Sequence, residues 1–122
     1  MIQKLHIYLF IACLSLFSIS PAIAEDVKFI SAIEDLPLKP GFVENIDSTL
    51  IFDKLSGRIV EASAEGTASQ MQTIHFYNKT LPQLGWVNIS TGKFRRADEV
   101  LTMKFESVSD TTIVHFSLSP KK

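Results

Sequence analysis

From Leu101 to Leu118 the chain reads LTMKFESVSDTTIVHFSL, and within it apolar side chains recur at every second position in two separate runs. Leu101, Met103 and Phe105 alternate with Thr102, Lys104 and Glu106; Val114, Phe116 and Leu118 alternate with Ile113, His115 and Ser117. Side chains two residues apart share one face of a strand, so each run predicts a strand with one apolar and one wet face. Ser109-Asp110-Thr111 is the turn between them, which makes the two strands antiparallel neighbours. Such a sheet leaves one face in water and needs the other covered.

The cover is a helix predicted from about Ala68 to Leu84. Thr67 or Ser69 caps its start, with Gln70 or Gln72 three residues on as in a capping box. Met71, Ile74, Tyr77, Leu81 and Leu84 recur at spacings of three and four, which predicts one buried stripe. In His75-Phe76-Tyr77-Asn78-Lys79-Thr80-Leu81-Pro82-Gln83-Leu84-Gly85-Trp86, Pro82 removes a helical donor, Gly85 ends the helix as a left-handed cap, and Trp86 turns into a strand. Before the helix, Leu50-Ile51-Phe52 and Arg58 to Glu65 form a hairpin about a turn at Gly57. Val60, Ala62 and Ala64 face inward there, and the two alanines let the helix approach closely; Phe52 joins Phe105 and Phe116 in the expected inward set. Trp86 to Ser90 and Lys93 to Ala97 add further strands. The fold class expected is α+β: an antiparallel sheet of about four to six strands with one long helix on one face, in the order ββαβββ or ββαββββ.

The N-terminus predicts a secretory signal over residues 1–24, with an apolar run from Leu5 to Phe17, the helix-breaking Pro21, and small Ala22 and Ala24 before Glu25-Asp26. Cleavage near Ala24 leaves 122 − 24 = 98 residues, enough for one domain at 48–122 preceded by an extended arm at 25–47. It also removes Cys13, the one cysteine, so the expected exported chain has neither a disulfide nor a thiolate ligand. A periplasmic or secreted location follows from that reading. In the arm, Pro37, Pro40 and Gly41 enforce extended and turn conformations, while Ile30, Ile33, Leu36, Leu38 and Phe42 are too apolar for a free tail, and the later part is expected to lie on the domain.

All 13 acidic residues and 11 of the 12 basic ones follow residue 24, giving 11 − 13 = −2 for the exported chain. That balance speaks against nucleic acid as a partner, since such binding depends on neutralising phosphates. Lys93-Phe94-Arg95-Arg96 is the basic exception, read as the solvated face of an edge strand or as a contact for an anionic partner or membrane surface. No zinc spacing, glycine-rich phosphate loop or nucleophile motif is present, so no cofactor, metal or catalytic residue is expected. Glu61 and Glu65 share a strand face about 13 Å apart, too far for a paired acid and base.

The run Phe76-Tyr77 to Leu81-Pro82-Gln83-Leu84-Gly85-Trp86, followed by alternating strands, resembles the helix-to-strand corner in the repeated domains of the outer-membrane assembly lipoprotein C. Asp35-Leu36-Pro37-Leu38 with Pro40-Gly41, then Phe52-Asp53 and Gly57-Arg58-Ile59-Val60-Glu61, resembles a group of small exported alphaproteobacterial proteins of unknown function. Both resemblances imply a bacterial envelope setting. The function expected is a non-enzymatic interaction module with an envelope protein partner. Its contact residues are expected at Leu36, Pro37, Leu38, Pro40 and Phe42 of the arm and at Arg95 and Arg96. The alternative is a carrier or sensor of a small apolar ligand held between helix and sheet.

Overall fold

The structure, a computed structural model, describes residues 27–121; the expected signal and its cleavage point lie outside them. Seven strands and one α-helix follow in the order β1 (Val43–Glu44), β2 (Leu50–Lys54), β3 (Gly57–Gly66), α1 (Gln70–Thr80), β4 (Val87–Ser90), β5 (Lys93–Arg96), β6 (Glu99–Val108) and β7 (Thr111–Pro120). They form one antiparallel sheet in the spatial order β1-β3-β7-β6-β5-β4, and β2 continues beyond β1 along the same edge of β3. From β2 onward this is the longer of the two expected orders; β1, from the arm, is the additional strand.

The alternating runs pair as the sequence requires. Leu101 sits opposite Leu118, Met103 opposite Phe116 and Phe105 opposite Val114, while Lys104 faces His115 on the wet side. Ala62 lies opposite Phe116 and Ala64 opposite Val114, so small side chains of β3 stand beside large ones of β7. Helix α1 begins with a full capping box: the Gln72 N–H donates to Ser69 Oγ at 3.0 Å and the Ser69 N–H donates to Gln72 Oε1 at 3.1 Å. Its α-helical part ends at Thr80, and Leu81–Leu84 continue as a 3-10 turn with Pro82 where no donor is needed. Gly85 closes it at φ +89°.

The buried stripe is rotated from the one expected. Thr73, Tyr77 and Leu81 are buried, Ile74 and Leu84 are half-buried, and Met71 is exposed. At 3.6 residues per turn Met71 stands about 120° round from Tyr77, whereas Thr73 stands about 40° away. Burying Thr73 leaves no polar group unpaired, because its hydroxyl donates to the Ser69 carbonyl at 2.8 Å.

The arm shares this core. Phe29 pairs with Pro37 and the Leu38 N–H donates to the Lys28 carbonyl, so residues 28–38 double back as a small hairpin. Its loop drives Ile30, Ile33 and Leu36 into the core beside Trp86 and Leu81, and Phe42 follows over β3. The Tyr77 hydroxyl donates to the Pro37 carbonyl at 2.9 Å, the Trp86 Nε1–H to the Asp35 carbonyl at 3.3 Å, and Glu44 accepts from the Ser31 backbone and hydroxyl. The described arm is thus a third part of the inner layer, continuous with residues 48–121.

Candidate functional site: an apolar sheet edge

The residues expected to meet a partner are distributed by this fold into three environments. Leu36, Pro37 and Phe42 are buried under the chain's own helix and strands; Leu36 offers a partner nothing while the arm is docked, and Pro37 and Phe42 show only an edge to the groove described next. Leu38 is half-buried and Pro40 exposed; with Phe42 and Phe76 they line an open groove of about 540 Å³ between arm and helix, where Lys39 Nζ stands 5.6 Å and 5.7 Å from the two rings. Arg95 is exposed on the outer face between Val87 and Val100. Arg96 is engaged within the chain: its guanidinium lies 4.4 Å from the centre of the Trp86 ring and donates to Asp35 Oδ2 at 2.8 Å and to the Glu34 carbonyl at 3.2 Å. The basic tetrad is therefore not an edge. β5 is paired on both sides, with β4 and with β6, and Phe94 is wholly buried.

On the outer face Glu61 accepts from the Ser117 hydroxyl at 2.7 Å, and His115 Nε2 lies 3.2 Å from Glu106 Oε2. These are cross-strand contacts between half-buried or exposed groups. His75 is exposed on the helix. Among the described residues no three side chains of the His, Cys, Asp and Glu kinds gather where they would hold a metal ion. Four hollows on the described residues open at the surface, and Tyr77 and Phe116 line none of them.

The feature the sequence reading missed is the edge formed by β1 and β2. Phe52, expected to face inward, lies opposite Ile59 on the outer side and is 52% exposed; Leu50 and Ile51 are 53% and 56% exposed. The cause is the register: Phe52 lies opposite Ile59 and Leu50 opposite Glu61, which puts both on the uncovered outer face, while Ile51 lies opposite Val60 on the inner face but in the outermost strand of the sheet there. Leu55 at its tip is fully exposed at 111%, and Val43 and Ile46 extend the apolar strip along the same edge. Six large apolar side chains thus crowd one border of the molecule. A strand edge carries unpaired backbone donors and acceptors, and native proteins commonly guard it with lysine, proline, bulges or shortness. The opposite border is guarded in this way, since β4 has only four residues and a register break between Asn88 and Ser90. β2 makes five regular pairs with β3 and has no proline or bulge, and its lysine comes only at its end. The signal available in the sequence was the unbroken run Leu50-Ile51-Phe52, apolar on both strand faces beside a turn.

Compared with models of protein families, with curated proteins and with solved structures, the chain matches none of them.

Proposed function

We propose that this protein is a non-enzymatic interaction module of the bacterial cell envelope, which docks an extended protein segment along the free side of β2. The observation that carries the reading is the regular edge from Leu50 to Lys54, free of proline and bulge and charged only at Asp53 and Lys54, flanked by exposed Val43, Ile46 and Leu55. An added strand would satisfy the edge's backbone groups, and alternate side chains on its two faces would meet Leu50 and Phe52 on one side and Ile51 on the other. The predicted signal and the two resemblances give the envelope setting. The packed arm fits this reading too, because it leaves the edge exposed while supplying the rigid body behind it.

Photo-crosslinking in the producing cell tests it. A photoreactive residue at Leu55 is expected to form a protein adduct in the envelope fraction, and one at the exposed Gln83 of the helix end is expected to form none. Equal labelling at both positions, or no adduct at Leu55, removes the edge as a docking site.

A further inference from the structure

We propose that the strand that docks on β2 is β2 of a second copy, antiparallel about a two-fold axis through Ile51; the inference rests on the docking reading above and names its partner. A two-fold axis normal to the sheet keeps each strand face on its own side, so residues paired across it must differ by an even number. Few registers then remain. Centring on Ile51 places Leu50 opposite Phe52 of the second copy, Ile51 opposite Ile51 and Thr49 opposite Asp53. Every central pair is apolar, and one is an aliphatic–aromatic pair of the kind that stabilises sheets.

The neighbouring registers are worse for electrostatic reasons. Centring on Phe52 puts Asp53 opposite Ile51 and Lys54 opposite Leu50, burying charge against apolar groups. Centring on Asp53 sets the two Asp53 carboxylates face to face, and centring on Leu50 sets Asp47 against Asp53 and lays Phe52 as well as Asp53 and Lys54 along the 3-10 turn at Ile46–Ser48, which the Ile51 register meets only at Lys54. Like charges directly opposite destabilise a sheet. The pattern Thr49-Leu50-Ile51-Phe52-Asp53 therefore specifies its own complement.

The area available is consistent with a reversible dimer. Leu50, Ile51, Phe52, Leu55, Ile46 and Val43 are each at least half exposed, and at about 100 Å² apiece they offer roughly 600 Å² per copy, somewhat below the ~800 Å² of a standard stable interface.

The test uses the protein purified from the envelope of a producing bacterium. Sedimentation equilibrium is expected to show a monomer–dimer equilibrium, and Ile51→Lys is expected to raise its midpoint by at least about tenfold while circular dichroism is unchanged, because the side chain is half exposed. Under mild oxidation Ile51→Cys, at the axis, is expected to form a disulfide dimer about tenfold faster than Phe52→Cys, which is off it. A monomer at all accessible concentrations, or equal linking at both positions, overturns the proposal. If the Leu55 adduct consists of a different protein and the purified chain stays monomeric, the second copy is excluded and docking on the edge stands. If neither adduct nor dimer forms, both readings fall.

Discussion

Tyr77 joins helix, arm and sheet through one side chain. Its ring meets Phe116 edge-on at 5.5 Å and Phe76 at 4.9 Å, while its hydroxyl reaches the Pro37 carbonyl. Burial raises its phenol well above the ordinary 10.0, with the Lys39 backbone countering part of the effect. The folded state therefore holds the proton more tightly than the unfolded one. The associated stability is fully present below pH 10, and is lost as pH climbs from the unfolded value toward the folded one. Denaturant titrations across that range should show stability falling by up to about 1.4 kcal/mol per pH unit, and tyrosinate absorbance should appear only with unfolding. Tyr77→Phe should flatten this alkaline slope and cost about 1 to 2 kcal/mol at neutral pH by leaving the Pro37 carbonyl unpaired. A wild-type slope that Tyr77→Phe leaves unchanged would assign the alkaline loss to other groups.

Among the elements, the arm depends on a glycine in β3. A Cβ built on Gly66 would stand 2.2 Å, 2.6 Å and 2.8 Å from atoms of the Phe42 ring, so the ring occupies the space that any other residue needs. Gly66→Ala should expel Phe42 and destabilise the fold by about 1 to 3 kcal/mol, with Phe42→Leu recovering part of the loss in the double variant, as a thermal-melt cycle would show. If Gly66→Ala melts as the wild type does, the ring has room to move and the contact is slack. The sequence made some elements legible and not others. The β6–β7 hairpin, the capping box at Ser69 and Gln72 and the stop at Gly85 were readable because each is a local pattern of period or cap. The exposed edge was not. Its side chains' fate is decided by the register of β2 on β3 and by β2 being the outermost strand there, and a run that is apolar on both strand faces reveals neither. Arg96 was likewise misread, since no local pattern links it to Trp86 and to the Asp35 turn it clasps.

At the scale of the whole molecule, Ile30, Ile33, Leu36 and Phe42 supply a large part of the inner layer that a single eleven-residue helix is too short to provide. A chain comprising residues 48–122 should therefore lose cooperative melting and near-complete protease resistance, whereas residues 25–122 should keep both. If the shorter chain melts cooperatively, the arm is a covering and not a structural part. The position of β7 has a temporal counterpart. This last described strand lies at the centre of the sheet, holding β3 on one side and β6 on the other. A chain that emerges from its N-terminus onward, from whatever machine makes or moves it, cannot close this core until Pro120 is out, so the earlier strands wait, still pliable, for the last described one.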